Sequence, residues 1–248
     1  MSHVTIGTAN SYLGKMLKDP EGLKAFADTD ILLLQEVDPV AEQIEKLIAE
    51  TDFRLAQISV GVGLAILHRE TVEPVPNLSD GLTLLQATPT YQRRILQKFR
   101  EHPLQTVGRG TLQARFRTVD DQELTAVTGH ANVPLKPIRR AKYVAMLADV
   151  MATVQGPAVL AGDMNHWPGP QAVDHEMVSR AKLERVALDR PTYTSLNSQH
   201  RWMGRLGINI EGEFDAMMYT PQHLEAVKSE VRDISSDHRA IVTQFNFF

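Results

Sequence analysis

The chain has 248 residues and no cysteine, so disulfides, thiolate metal sites and a cysteine nucleophile are excluded. Hydrophobic residues make up 43% and charged residues 23%, a globular balance with enough apolar chain to bury a sizeable core without staples. The net charge of −4 argues against a general nucleic-acid coat protein, though not against a protein whose basic residues line a single face.

The start, MSHVTIGTANSYLG, lacks the basic-then-apolar order of a signal peptide. Runs such as Ile31–Leu34 are far too short to span a bilayer. With the missing cysteines, these features lead us to expect a cytoplasmic protein. No repeat, low-complexity tract or linker divides the sequence, so one domain over residues 1–248 is expected.

In chain order, Val4–Thr8 reads as an opening strand and Gly14–Ala27 as loop and helix. Asp30–Val37 is a short apolar run, the pattern of a strand covered on both faces. Val40–Glu50 has helical spacing after Pro39, followed by strands at Phe53–Val60 and Gly63–His68. Pro74–Pro89 reads as a loop. Thr111–Val119 and Glu123–Thr128 form an expected hairpin around Asp120–Asp121. Arg139–Val154 is apolar at helical spacing and stops at Gly156–Pro157, before a strand at Ala158–Ala161. A helix is expected around Gln171–Ala181, then strands at Phe214–Tyr219, His223–Val231 and Arg239–Phe247. Many strands with a few interspersed helices predict an α/β (α+β) fold: a four-layer sandwich of two packed mixed β-sheets flanked by helices.

Polar residues recur where these strands end. Asn10 follows the first, Gln35–Glu36 closes the second, and Gly129–His130 and Gly162–Asp163–Met164–Asn165 end two central ones. Asp215 lies in a late strand and Ser236–Asp237–His238 precedes the last. Strand ends can bring such side chains together on a rigid scaffold. Carboxylate and carboxamide oxygens suit Mg²⁺ or Mn²⁺. A histidine beside an aspartate is held in one tautomer as a stronger base. Singly, each group has a plainer reading: Asp163–Asn165 as a turn, Asp237–His238 as a cap, His130 as a satisfied interior histidine. Their joint order would require several coincidences.

In that order, and from Asn10 to His238, these motifs resemble those of the exonuclease–endonuclease–phosphatase family. Arg109–Gly110, leading into a middle strand, resembles the family too. The resemblance implies Glu36 as principal metal ligand with Asn10 beside it and Asp237 completing or extending the site. Asp163 would orient or activate water, Asn165 would contact phosphoryl oxygens, and Asp215 would hold His238, the pair acting as base or as transition-state partner, with the choice of proton acceptor between Asp163 and His238 left open. His130, with Asn132 and Arg109, would bind substrate. Ala216–Met217–Met218 after Asp215 departs from the aromatic or histidine often found there.

The implied activity is divalent-metal-dependent phosphodiester hydrolysis, with Mg²⁺ or Mn²⁺ as cofactor and DNA or RNA as expected substrate. Alternatives are a phosphatase or phospholipase acting on lipid or small phosphoesters, and a non-catalytic binding protein on the same fold. No membrane-binding segment and no obligate protein partner is expected. Arg93, Arg94, Lys98 and Arg100, with Lys136, Arg139, Arg140 and Lys142, are basic groups suited equally to a phosphate track or a solvated face. His166, Trp167 and Trp202 suit either base stacking or loop anchoring.

Overall fold

The computed structural model describes residues 2–19, 21–37, 40, 43–59, 62–76, 81–87, 108–131, 137–165, 175–194 and 211–248; for 81–87, 108–109 and 137–142 it describes the backbone alone. Fifteen strands are described: β1 (His3–Asn10), β2 (Ile31–Gln35), β3 (Arg54–Ser59), β4 (Leu64–His68), β5 (Val72–Val75), β6 (Gly81–Ala87), β7 (Gly108–Thr118), β8 (Glu123–His130), β9 (Ala158–Asp163), β10 (Glu184–Arg185), β11 (Tyr193–Thr194), β12 (Glu211–Gly212), β13 (Asp215–Tyr219), β14 (Leu224–Arg232) and β15 (Ala240–Phe247). Helices are α1 (Lys15–Lys18), a 3₁₀ turn at Lys24–Phe26, α2 (Ile44–Ile48), α3 (Pro137–Thr153) and a π-type turn at Met177–Ala181.

Two sheets carry the fold. The first has the order β14-β15-β1-β2-β4-β3, and the second β10-β13-β9-β8-β7-β5 with β6 also on β7. Both are mixed: β1–β2 and β8–β9 are parallel and their other pairs antiparallel. Between the sheets lies one apolar cluster built from alternate residues, including Val4, Ile6, Ile31, Leu33, Ala126, Val159 and Met217. The outer face of the first sheet packs Leu32, Leu34, Ala65 and Leu67 against Met16, Phe26, Ile44 and Ile48. The second sheet's outer face packs Val127, Leu160, Ala216 and Met218 against Tyr143, Val144, Leu147 and Met151. Those last four recur at helical spacing and make one face of α3. The result is the helix–sheet–sheet–helix order expected from the sequence, and it explains why β2 is continuously apolar: both its faces are covered.

The expected loop at Pro74–Pro89 is wrong. β5 pairs Val72–Val75 with Arg115–Thr118, and β6 pairs Gly81–Ala87 with Gly108–Gln113, so the two run end to end along one edge of β7. Proline and turn residues concealed them, because an outer strand tolerates Pro74 where a central one would not. β2 also stops at Gln35, two residues short of the expected end, because Glu36 takes φ 58°. Among the described residues of the Val40–Glu50 stretch, α-helix spans Ile44–Ile48. Of the helix expected around Gln171–Ala181, residues 171–174 lie outside the described residues. Among the described residues, no helix is long and apolar enough to cross a membrane.

Candidate active site

The alternation that fills the inter-sheet core also builds the site. Along β1 the inward positions run Val4, Ile6, Thr8, Asn10; along β8 they run Leu124, Ala126, Thr128, His130. β9 runs Val159, Ala161, Asp163, and β13, read backwards, Tyr219, Met217, Asp215. Each strand therefore passes from apolar to polar toward the same rim. In the second sheet His130 pairs with Asp163 and Asp163 with Asp215, three candidate site residues on adjacent strands. In the first, Asn10 pairs with Gln35, immediately before Glu36.

Gly129 and Gly162 face each other one step before His130 and Asp163. A Cβ on Gly162 (φ +153°) would stand 2.0 Å from the Gly129 carbonyl oxygen, so the two backbones approach as only glycine allows.

Asp163 is the hub. Its Oδ2 accepts from Asn10 Nδ2 at 3.1 Å, with His130 Nε2 at 3.4 Å and His238 Nε2 at 3.9 Å, while Oδ1 accepts from Asn165 N at 2.9 Å. Burial opposes its charge, but the His238 and His130 rings and the Asn165 N–H outweigh this and hold its carboxyl well below the usual range. Asn165 has φ 49° and donates its amide to Ala131 O at 2.8 Å.

His238 precedes β15 in the first sheet yet bonds across to the second, its Nδ1 lying 2.7 Å from Asp215 Oδ2. Burial disfavours the imidazolium, but Asp215 and then Asp163 outweigh it, and the ring is pushed up to about 10. The carboxyl of Asp215 is raised, chiefly by burial. Asp237, half-buried, is raised by burial first and then by Glu36 and Asp163.

Glu36 is more open than Asp163 and Asp215. Its side chain is 26% exposed; Oε1 lies 3.9 Å from His130 Nε2, and Oε2 accepts from Leu13 N at 3.2 Å. Asn10 Oδ1 accepts from Tyr12 N. Ser236 Oγ donates to Asn10 O and accepts from His238 N, tying the loop before β15 to the end of β1.

The structure thus brings together Asn10, Glu36, His130, Asp163, Asn165, Asp215, Asp237 and His238. Asn132, the basic segment 93–100, Lys136, His166, Trp167 and Trp202 lie outside the described residues. Arg109 is in β7, Arg139, Arg140 and Lys142 are in α3, and none of these four has a described side chain. The unusual Ala216–Met217–Met218 is well accommodated: all three are buried, Met217 between the sheets and its neighbours beneath α3.

Three features escaped sequence reasoning. Thr192 Oγ1 accepts from both Phe214 N and Asp215 N at 3.0 Å, a contact across more than twenty residues with no periodic signal. The rings of Tyr193 and Phe214 stack at 4.5 Å, with Tyr193 edge-on to His238 at 5.3 Å. Thr8 and Thr128 join Gln35 beneath the rim; their signal is a polar residue at an inward position of an apolar strand.

Metal fit follows from donor chemistry and charge. Asp163, Asp215 and His238 place ligand atoms within 4.8 Å of one another, a buried group able to hold a metal ion. With Glu36 and Asp237 the rim carries four carboxylates against two imidazoles. Apart from those rings its donors are hard oxygens, which suit a hard divalent cation; burial first, and then the charges of Glu36 and Asp163, push the Asp237 carboxyl up.

D. rerio TDP2, solved with a single-strand DNA product, is similar over 99% of this chain and 100% of that one at 16% identity and a TM-score of 0.71. The human Nocturnin catalytic domain with bound sulfate is similar at 15% identity and a TM-score of 0.66, covering 99% and 95%. The mannosyl-6-phosphatase Bt3783 of Bacteroides thetaiotaomicron is similar at 16% identity and a TM-score of 0.66, covering 98% and 100%. No curated protein matches in sequence. A profile of the Endonuclease/Exonuclease/phosphatase family matches residues 7–238, and this chain belongs to that family.

Proposed function

We propose that the protein is a divalent-metal-dependent phosphodiesterase acting on nucleic acid. The observation that carries this reading is the meeting of Glu36, His130, Asp163 and His238, from two sheets, within 4 Å steps of one another. Glu36, Asn10 and Asp237 would hold Mg²⁺ or Mn²⁺: Glu36 is part-exposed, its charge acts on Asp237, Asn10 pairs with the residue before it, and His238 is already engaged with Asp215. A cation there supplies positive charge against the phosphoryl and leaving oxygens.

The chain's own groups do the rest. Asp163 stays ionised and accepts a hydrogen bond from the attacking water, fixing it for in-line approach. His238, protonated and anchored through Nδ1, turns Nε2–H toward the cleft and donates to a phosphoryl oxygen as its charge grows. His130 Nε2, 3.4 Å from Asp163 Oδ2, would bind the same phosphate. The stacked Tyr193–Phe214 pair offers a base or sugar a flat neighbour beside His238. That the zebrafish relative was solved with a DNA product supports this choice of substrate.

The deciding experiment is a turnover screen of single-stranded, duplex and abasic DNA, RNA, bis-p-nitrophenyl phosphate and a sugar phosphate. Each is offered with Mg²⁺, Mn²⁺ or EDTA, with His238→Ala as control. Metal-dependent cleavage of a nucleic acid, lost in the control and weakened steeply by salt, is expected. Turnover of the sugar phosphate alone would overturn the substrate assignment, and no turnover anywhere would overturn the catalytic one.

A further inference from the structure

Beneath the rim lies a polar layer that the proposed chemistry does not use. Gln35 is fully buried on β2, facing the second sheet. Its Nε2 lies 2.9 Å from Thr128 Oγ1 on β8, and 3.1 Å from both Thr8 Oγ1 on β1 and Leu33 O. All three side chains are buried, and Gln35 Oε1 has no hydrogen-bond partner among the described residues.

Such a layer is a poor way to stabilise a core. A buried amide with an unpaired acceptor costs more than an apolar side chain of the same shape. Every neighbouring inward position one step deeper is apolar: Ile6, Leu33 and Ala126. The layer's distinction is its place. Gln35 directly precedes Glu36 in the first sheet, and Thr128 stands one inward position below His130 in the second. Glu36 Oε1 and His130 Nε2 face each other across the cleft at 3.9 Å. Directional bonds fix a spacing that apolar contacts, which have no preferred direction, leave free.

We propose that Gln35 is a positioning residue: its amide clasps Thr128 and Thr8, and so sets the separation of Glu36 from His130 across the two sheets. This rests on the reading of the rim as a metal-dependent phosphodiesterase site.

The test compares Gln35→Met, Thr128→Val and Thr128→Ser with wild type. Three quantities are read: kcat and KM on bis-p-nitrophenyl phosphate, the Mn²⁺ dissociation constant by electron paramagnetic resonance, and the thermal midpoint. Methionine keeps the length of Gln35, and valine the shape of Thr128, but neither makes the bond; serine keeps the hydroxyl and loses a methyl. Gln35→Met and Thr128→Val should lose about 10–100-fold in kcat or Mn²⁺ affinity, with KM little moved and thermal midpoints at or above wild type. Thr128→Ser should keep most activity. A packing role predicts the reverse order, with valine active and serine impaired, and that order would overturn the clasp, as would kcat and Mn²⁺ affinity within twofold of wild type in both bond-breaking variants. Wild-type protein that binds Mn²⁺ but turns over nothing would overturn the functional reading instead, while the Mn²⁺ constants still decide the clasp. If Gln35→Met fails to fold, the Thr128 pair decides alone.

Discussion

His238 Nδ1 and Asp215 Oδ2 stand 2.7 Å apart, buried, on chain segments that belong to different sheets. Asp215 therefore fixes the ring's orientation as well as its charge. Asp215→Asn keeps the shape but loses the acceptor charge. We expect kcat to fall about a hundredfold, with less change in KM, in steady-state kinetics on bis-p-nitrophenyl phosphate. A variant within threefold of wild type would remove Asp215 from the mechanism.

The same pair sets a pH dependence of stability. His238 is raised in the folded protein from an ordinary value of 6.5 to about 10, so protonation favours the fold. The contribution is complete below pH 6.5 and disappears as pH rises toward 10. Measured in EDTA, the thermal-midpoint advantage of wild type over His238→Gln should shrink steadily across that window. An advantage that stays constant or grows would show that the ring is neutral in the fold. Asp163 works in the opposite sense: its depressed carboxyl favours the fold above the ordinary carboxylate range and loses this only in acid.

Glu36→Gln separates catalysis from folding. Glutamine can still accept from Leu13 N, as Glu36 Oε2 does, but it removes one of the charges pressing on Asp237. Metal-dependent turnover should drop at least about a hundredfold, while the thermal midpoint in EDTA matches or exceeds wild type. Full activity with Mg²⁺ would refute the metal assignment.

Gly162→Ala tests the close approach of β8 and β9. The new Cβ would sit 2.0 Å from the Gly129 carbonyl oxygen, and the strands must part just where His130 and Asp163 are aimed. Chemical denaturation should show a loss of at least about 3 kcal/mol. Gly156→Ala, at φ +79° with nothing within 4 Å, should cost only about 1 kcal/mol. Equal costs would mean that the backbone strain, and not the contact, governs both sites.

Much of this was legible because two periodicities are strong. The apolar run Ile31–Leu34 and the helical spacing of Tyr143, Val144, Leu147 and Met151 announce a covered strand and a covering helix, and both are found. The ordered polar strand ends gave the site, since a period of two carries inward residues straight from core to rim. β5 and β6 were missed because an outer strand permits the prolines and turn residues by which loops are recognised. The roles of Thr192 and of the Tyr193–Phe214 stack were hidden for another reason: they arise from contacts between distant segments and leave no local pattern.

The parallel pairs β1–β2 and β8–β9 send their C-terminal ends to one rim, so half the site rides on each sheet. Any slip of one sheet over the other would misalign Glu36 from His130 and His238 from Asp215 in a single movement. Alignment is thus a property of the whole inter-sheet core, with the rigidity of a closed vice and no tolerance for partial grip. Under denaturant, catalytic competence should disappear together with the core or ahead of it, and a loosened sandwich that still turns over substrate is not a state this architecture supports.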